Sequence, residues 1–310
     1  MKQYLDIIKN VLENGEWADN RTDIPAKTCI HLYFTHDMSK GFPLLTTRKI
    51  PLKSVAIELE GFLKGITSKK WYQERFCKYW DYWCNPKIVD RKLHKYITET
   101  STDEEIKRAK KEIQKTEDDL GTFYAHQIRR FNEVYDEDCN GQLHGIDQLS
   151  DIVRDLKNDS NSRRMICLNH NPAQVKTAAL PACHVLWKIR QLNGKLHLSW
   201  FQRSADLMLG LPSNIASYAL LLLLLCKESG FTPGQLTGFI DDCHIYKNHI
   251  WAAEEQVKRN TYPLPTVEIP DIITLDDKTE QPFSIFNWTH KNFTLNDYTY
   301  WPTIKMDIAV

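Results

Sequence analysis

The sequence lacks an excess of charge of either sign, since its 310 residues contain 40 basic and 40 acidic side chains. This balance excludes a protein that holds nucleic acid or an anionic membrane through its whole-surface field, so any polyanion site must be local. The longest apolar run, residues 215–226, is far shorter than the roughly twenty residues that cross a bilayer. The amino terminus also lacks the apolar core of a secretory signal. We expect a cytoplasmic protein with no membrane partner.

Glycine is scarce, with 12 residues, and neither of the phosphate-binding loops G-x-G-x-x-G and G-x-x-x-x-G-K-[ST] occurs. Dinucleotide-binding and P-loop folds are therefore excluded. The 8 cysteines lack the short-spaced pairs of a zinc site or of a disulfide framework. We expect no metal site and free thiols, as is usual in a reducing compartment.

The chain also lacks internal repeats and a Pro/Ser-rich linker, so one α+β domain over residues 1–310 is favoured over two domains. Apolar spacing predicts helices at 2–14, 52–63 and 146–156, and a buried central helix at 214–227. Alternating side chains predict strands at 29–34, 162–168, 185–191 and 195–202. The last two are joined at Asn193-Gly194, a dipeptide that favours a tight hairpin turn.

Charged residues are distributed differently in two stretches of the sequence. The predicted helix at 52–63 places Glu58 among apolar residues, where a carboxylate needs a chemical reason. Residues 86–119 are instead dense in charges of both signs and contain no glycine. We interpret them as a surface insertion whose second half is a charged, solvated helix without a catalytic role.

Cys183 is the candidate nucleophile, because it follows a proline-containing turn and directly precedes a predicted strand. The reactive species is a thiolate, which nearby cations favour. The predicted hairpin returns through Arg203, so this arginine could lie near the thiol. Taken alone, a cysteine in this position is more often a small buried hydrophobe.

Arg163, Arg164 and Arg203, with Ser204, are a plausible set for a phosphate, because guanidinium groups match phosphate oxygens and a hydroxyl adds one bond. Single arginines more often form surface ion pairs. The adjacent Arg163 and Arg164 open a predicted strand and would point to opposite faces. Asn214 begins the apolar helix, where it is either an N-cap or an amide that reads a planar ligand edge. The pattern alone favours the cap.

Taken in order, these pieces resemble the folate-dependent thymidylate synthases that use a cysteine nucleophile, and the resemblance covers nearly the whole chain. It is carried by Glu58, by Trp80-Asp81 and by the segments DNRT (19–22), GFPLLTT (41–47), DLGTFY (119–124), SRR (162–164), LPACH (180–184), QRSAD (202–206), LGLPSNIASY (209–218), DCHIY (242–246) and PTIKMDIAV (302–310). The resemblance implies an α+β sandwich around a mixed, kinked sheet. It also implies a homodimer formed through the sheet face, with each active site borrowing residues from the partner.

The resemblance implies catalytic roles for a small set of residues. Cys183 would add to C6 of dUMP, so that C5 captures the one-carbon unit of 5,10-methylenetetrahydrofolate. Asn214 would pair with N3 and O4 of uracil. Glu58, Tyr124 and His184 would organise the waters that move protons.

Other residues would bind the two substrates. The resemblance implies a phosphate site made of Arg21, Arg203 and Ser204 of one chain and Arg163 and Arg164 of the partner. His244 and Tyr246 would bond the 3′-hydroxyl of the deoxyribose. The folate site would include Trp80, Asp206, which is also a catalytic candidate, Gly210 and the closing carboxy-terminal Val310. The resemblance implies no metal and no requirement for nucleic acid.

Several positions depart from the family pattern, namely Ala125, Ile128, His170, Ala182, Ser213 and Asp241. Loss of aromatic bulk near the substrate would favour water over hydride at the exocyclic methylene of C5. The product would then be 5-hydroxymethyl-dUMP rather than dTMP. Reductive methylation is favoured over this dUMP hydroxymethylase reaction because Trp80 and the tail are retained, and a non-catalytic nucleotide- or RNA-binding protein is the third interpretation.

Overall fold

The computed structural model describes residues 1–133, 145–275 and 277–307. The helices in these ranges are α1 (Lys2–Asn14), α2 (Leu52–Lys64), α3 (Lys69–Glu74), α4 (Pro86–Leu93), α5 (Asp103–Thr116), α6 (Tyr124–Arg130), α7 (Gln148–Asn158), α8 (Gly210–Ser229) and α9 (Ile250–Lys258). The strands are β1 (Glu16–Ala18), β2 (Ala26–Asp37), β3 (Ile166–Leu168), β4 (His184–Leu192), β5 (Lys195–Gln202), β6 (Ala205–Asp206), β7 (Thr232–Tyr246), β8 (Thr266–Glu268), β9 (Ile272–Thr274), β10 (Glu280–Pro282) and β11 (Thr294–Asn296).

The chain divides into two compact units. The first comprises Met1–Ala56, Val153–Ile166 and Cys183–Val310, and the second comprises Ile57–Ile152 and Cys167–Ala182. The predicted mixed α/β class is confirmed by the helices and by a mixed sheet. A single domain over residues 1–310, with an insertion at 86–119, stays a prediction.

The main sheet has the strand order β1-β2-β7-β5-β4-β3, with β6 beside β7. The long strand β7 runs antiparallel to β2 and parallel to β5. The predicted hairpin is confirmed as β4 and β5, and its turn residues Asn193 and Gly194 have positive φ angles of 50° and 77°. Positive φ at both positions is what a two-residue type I′ turn requires.

The two faces of this sheet differ in what covers them. One face buries an inner row of registered residues, Phe34, Gly238, Trp200 and Trp187. Gly238 is required there, because a Cβ would lie 2.3 Å from the Trp200 ring. On the other face, the next set of paired residues on β2, β7 and β5 forms an outer aromatic row. In this row Tyr33 is 67% exposed, Phe239 is 50% exposed and Phe201 is 36% exposed.

The predicted central helix is confirmed as α8, but it begins at Gly210, four residues before Asn214. Asn214 is therefore not the N-cap that the pattern favours. The helix can begin earlier because Pro212 lies in its first turn, where an N–H has no intrahelical acceptor to lose. Among the described residues, α8 is long and apolar enough to span a membrane, but 67% of its 18-residue apolar window is buried inside the structure, as expected of a core helix.

The stretch predicted as a strand at 162–168 is shorter in the structure. Only Ile166–Leu168 forms β3, and Arg163 and Arg164 lie in the loop before it. The expectation that they point to opposite faces of a strand is therefore wrong. The reason is local, because the carbonyl oxygens of Asn161 and Ser162 accept bonds from Arg190 and the segment does not pair as a ladder there.

The second unit is built around an aromatic cluster where α2 meets α6. Phe62 of α2 stacks on Tyr124 of α6 with ring centroids 5.2 Å apart, and Phe123 meets the Trp80 ring edge-on at 4.7 Å. The glycine Gly121 just before α6 has φ of 64°, and a Cβ there would lie 1.8 Å from the Thr177 carbonyl oxygen. The close approach of these two segments therefore requires glycine.

The charged stretch 86–119 does contain a helix over its second half, α5, with the side-chain capping box of Thr102 and Glu105. Its inner side is anchored in the second unit. Ile113 packs with Cys84 and Val89, and the buried Lys69 donates from Nζ to the Gln114 carbonyl oxygen at 2.6 Å. The stretch is thus a solvated helix pair with an apolar seam.

Candidate active site

The thiol of Cys183 lies beside a cation. Arg203 Nη2 is 3.8 Å from Cys183 Sγ and donates to it, and Arg203 N donates to the Cys183 carbonyl oxygen at 2.9 Å. Both contacts follow from the hairpin, in which His184 is registered with Gln202. A guanidinium at this position stabilises a thiolate relative to a thiol.

Other thiols have a different environment. Burial raises the pKa of Cys226 and of Cys77 to about 12, and that of Cys84 to about 11. These groups stay protonated at neutral pH and behave as small hydrophobes. Cys183 is instead only partly buried, and its arginine neighbour makes it the better candidate nucleophile.

A polar cluster joins the strand end to α8. Gln202 Nε2 donates to Asn214 Oδ1 and to the Ser204 carbonyl oxygen, each at 3.1 Å, while Gln202 Oε1 accepts from Trp200 Nε1 at 3.1 Å. Gln202 therefore fixes the orientation of the Asn214 amide. This positioning residue was missed as a separate candidate, although it lies within the QRSAD segment.

His184 belongs to the same cluster. Burial lowers its pKa to about 4, an effect that its side-chain hydrogen bond to Asn214 partly opposes. Its ring centroid is 5.3 Å from that of Tyr218. His184 is therefore a neutral imidazole at physiological pH, able to bond water without carrying charge.

Asp206 shapes the turn that leads into α8. Its Oδ1 accepts from the backbone N–H groups of Met208 and Leu209 at 2.9 and 3.0 Å. The same turn is held by Tyr4, whose hydroxyl donates to the Leu207 carbonyl oxygen at 2.7 Å, and by Arg48, whose Nη2 donates to the Met208 carbonyl oxygen. Sequence reasoning missed Tyr4 and Arg48, since nothing local indicates these long-range contacts.

Gly210 is the first residue of α8, directly after this turn. A Cβ at Gly210 would come no closer than 3.7 Å to Asn214 Oδ1 and 3.8 Å to Asp206 Cβ, which is ordinary contact. The backbone therefore does not itself require glycine there.

The end of β7 brings together the residues expected at the sugar. His244 Nδ1 is 3.0 Å from Asp242 Oδ1, and its ring meets that of Tyr246 edge-on at 5.1 Å. Burial raises the pKa of Tyr246 and the charge of Asp206 adds to this effect, whereas the charge of Arg21 opposes it. Arg21 and Asp206 therefore share one electrostatic neighbourhood with Tyr246.

The adjacent arginines occupy a different setting. Arg163 and Arg164 are both exposed, and neither forms an ion pair with any residue of the described ranges. Two adjacent guanidinium groups without an ion partner at the surface could bind an anion from outside the chain.

The second unit contains a carboxyl group that changes protonation near neutrality. Burial raises the pKa of Glu58 to about 7, and the hydrogen bond from Trp80 opposes this shift. Trp80 Nε1 donates to Glu58 Oε1 at 3.0 Å. Glu60, two residues along α2, is also buried but is paired with Lys64 at 2.7 Å. Within the described residues, Glu58 has no such cation beside it, so its carboxyl group can exchange a proton near neutral pH.

The departures from the family pattern lie in varied surroundings. Ala125 and Ile128 are buried in α6, and Ala182 is buried just before Cys183. His170 lines a cavity of about 10 Å³, and its Nδ1 is buried without a partner among the described atoms. Asp241 pairs with His31 at 2.9 Å.

Ser213, the sixth of these positions, lies in the first turn of α8 and is partly buried. Val310 lies outside the described residues. Within residues 1–133, 145–275 and 277–307, no group of three His, Cys, Asp or Glu side chains could hold a metal ion.

Comparison with known proteins covers the whole chain. The family model described as thymidylate synthase matches residues 2–310. Proteins named thymidylate synthase from Mycoplasma pneumoniae and Mycoplasma genitalium are 36% and 34% identical to this chain, over 100% of each protein. A thymidylate synthase from Listeria monocytogenes is 34% identical, again over 100% of both chains.

Proposed function

The chain belongs to the thymidylate synthase family, and we propose that it methylates dUMP at C5 to give dTMP, with 5,10-methylenetetrahydrofolate as co-substrate. The observation that carries this proposal is the contact of Arg203 with Cys183, in a chain whose full length matches enzymes of that name. Hydroxymethylation is not favoured, because these full-length relatives are all named thymidylate synthase.

The first step assigned to this chain is nucleophilic addition. The Cys183 thiolate attacks C6 of dUMP, and the electron pair of the C5–C6 double bond moves towards C5 and O4. Arg203 lowers the cost of forming the thiolate and also contributes to the phosphate site with Arg21 and Ser204. The co-substrate supplies the one-carbon unit and then the hydride.

Asn214 recognises uracil. Its Oδ1, oriented by the bond from Gln202, accepts the N3 proton of uracil, while Nδ2 donates to O4. Cytosine reverses the donor and acceptor at these positions, so this fixed amide discriminates against it.

Proton movement is assigned to Glu58, Tyr124 and His184. Glu58 titrates near neutrality and can therefore both donate and accept a proton under working conditions. Tyr124 and the neutral His184 are suited to orient water. Asp206 and Trp80 contact the folate, Gly210 leaves room for it, and Val310 closes over the bound pair.

The active protein is proposed to be a homodimer that pairs through the outer aromatic row. A contiguous exposed row of aromatic side chains on one sheet face is typical of a surface that another chain covers. The partner contributes its Arg163 and Arg164 to the phosphate site, which accounts for their lack of an ion partner within the described part of one chain. We place this α+β sandwich enzyme in the cytoplasm, without a membrane or nucleic-acid partner.

The proposal is tested by incubating the protein with 5-fluoro-dUMP and methylenetetrahydrofolate. A covalent ternary adduct at Cys183, detected by mass, is expected of the enzyme, and its absence leaves only a binding protein. Product analysis with dUMP then distinguishes dTMP and dihydrofolate from 5-hydroxymethyl-dUMP. The Asn214→Asp variant should shift preference towards dCMP, whereas Ser213→Ala, one residue earlier in α8, should not.

A further inference from the structure

One arginine holds the start of the carboxy-terminal segment, described for residues 301–307, against other parts of the first unit. Arg259 Nη1 donates to the carbonyl oxygens of Pro302 and Thr47 at 2.8 and 2.9 Å. Its guanidinium lies 5.6 Å from the Trp301 ring centroid, and Trp301 Nε1 donates to the Asn260 carbonyl oxygen at 2.9 Å. These contacts end at residue 302, so they do not hold the residues that follow.

Beyond residue 302, a buried histidine reaches the segment. His249 is 1% exposed, and its Nε2 lies 2.7 Å from the Asp307 carbonyl oxygen. Because a carbonyl can only accept, Nε2 carries the proton. Nδ1 is buried without a hydrogen-bond partner among the described atoms. The imidazole is therefore committed to a single acceptor, at the last described residue of the segment.

His249 also stands close to the proposed sugar site. Strand β7 ends at Tyr246, and a single 3₁₀ turn, Lys247–His249, leads into α9. The rings of Tyr246 and His249 meet edge-on with centroids 6.0 Å apart, and Lys247 N donates to the Pro25 carbonyl oxygen at 2.8 Å. A ligand that orders Tyr246 would therefore order the short turn that presents the donor to Asp307.

We propose that His249 is a positioning residue that seats the carboxy-terminal segment at Asp307 when the nucleotide at Tyr246 and the folate are both bound. This inference rests on the proposed function, in which Tyr246 bonds the deoxyribose and the carboxy terminus closes over nucleotide and folate. His249 itself contacts neither ligand and acts through the Asp307 carbonyl oxygen. Removal of its Nε2 donor should destabilise the ternary complex and leave the binary nucleotide complex unchanged.

Two polar variants isolate that donor. In His249→Gln the amide nitrogen can take the place of Nε2, whereas in His249→Asn the shorter side chain places its amide near Nδ1. The covalent adduct with 5-fluoro-dUMP and methylenetetrahydrofolate should dissociate about five- to tenfold faster in His249→Asn, the effect of losing one hydrogen bond, and within about twofold of the unmodified rate in His249→Gln. Binding of dUMP without folate, measured by calorimetry, should change less than about twofold in both.

A matched control is His36, another buried histidine, whose Nε2 lies 2.9 Å from the Gly41 carbonyl oxygen. His36→Asn should lower the melting temperature without changing adduct lifetime. An unchanged adduct lifetime in His249→Asn overturns the inference alone, as does an equal loss of dUMP affinity in that variant, which would indicate a merely structural role. Failure of the unmodified protein to form any adduct overturns the proposed function together with the inference.

Discussion

Cys183 in the first unit and Glu58 in the second are ionisable groups in opposite electrostatic environments. In the first unit, Cys183 lies next to the guanidinium of Arg203, which favours the charged thiolate. In the second unit, burial disfavours the charge of Glu58, and although the hydrogen bond from Trp80 opposes this effect, the neutral form persists to about pH 7. A nucleophile must be charged to react, whereas a proton carrier must be able to exist in both states. Burial and one neighbour thus suit each group to the role proposed for it.

The largest effect is expected from removing the nucleophile. Cys183→Ser should lower turnover by about ten-thousandfold or more, since a serine hydroxyl is not ionised by an arginine neighbour. The dissociation constant of dUMP, measured by calorimetry, should stay within about threefold, because the phosphate and uracil contacts remain. Cys226→Ala, which removes a thiol that burial keeps protonated, should retain most activity. Comparable losses of turnover in the two variants would contradict the assignment of Cys183, rather than a buried thiol, as the nucleophile.

A smaller loss is expected when the proton carrier is removed. Glu58→Gln should lower kcat by about a hundred- to a thousandfold, the usual contribution of general acid–base catalysis. The limb of the pH–rate profile with a midpoint near pH 7 should disappear with it. Glu60→Gln serves as the control, because Glu60 is buried on the same helix but paired with Lys64. If that variant also lost the limb, the titration would not belong to Glu58.

Removing the cation should affect both ligand binding and reactivity. Arg203→Ala should raise the KM for dUMP by about ten- to a hundredfold, as expected for the loss of hydrogen bonds from a charged group. It should also move the pH midpoint of Cys183 alkylation upwards, because the thiolate loses its neighbour. Arg203→Lys keeps the charge and should restore the alkylation midpoint better than the KM. An alkylation midpoint that does not change in Arg203→Ala would contradict the claim that Arg203 stabilises the Cys183 thiolate.

The free energy of unfolding should depend on pH in part through Glu58 of the second unit. The folded state raises the pKa of Glu58 from 4.5 to about 7. At Glu58 the folded protein therefore binds more protons than the unfolded chain in this interval, so the contribution of this group to the free energy of unfolding falls as pH rises from about 4.5 to about 7. Burial lowers the pKa of His184 and of His126 to about 4, and these groups contribute with the opposite sign in the unmodified protein and in Glu58→Gln alike. In denaturant titrations, the free energy of unfolding of the unmodified protein minus that of Glu58→Gln should therefore fall by an amount on the order of 1–3 kcal/mol over this interval.

The smallest effect concerns the hydrogen bond to Glu58. Trp80→Phe keeps an aromatic ring but removes the N–H donor at 3.0 Å. The pKa of Glu58 should rise further, and the midpoint of the pH–rate profile should move up by less than about one pH unit. Tyr82→Phe, a conservative change at an exposed neighbour, is the control. A downward shift in Trp80→Phe would contradict the assignment of this bond to the ionised form.

Much of the fold could be predicted where one local force dominates. Helix α1 coincides with the predicted 2–14, and the Asn193-Gly194 turn correctly defined the hairpin. The start of α8 was missed because Pro212 is compatible with the first helical turn, so a proline does not mark the boundary there. The strand at 162–168 was too long because contacts of Arg190 with the loop compete with ladder pairing.

The candidate site was predictable only in part for a similar reason. The hairpin alone indicated that Arg203 could approach Cys183, and family resemblance supplied the remaining roles. Tyr4 and Arg48 hold the turn of Asp206 from sequence distances of about two hundred and one hundred and sixty residues. Such contacts depend on tertiary packing, and no local pattern reports them.

The outer aromatic row has a consequence for how the protein behaves while it is being made. A newly synthesised copy exposes Tyr33, Phe239 and Phe201 to the crowded interior of a cell, where such surface attracts chaperones and promotes aggregation. Replacing Phe239 by a charged residue would make a lone chain more soluble. In the proposed homodimer the same replacement would weaken the pairing of two copies, and with it the phosphate site that they are proposed to share, so solubility and assembly place opposite demands on this row.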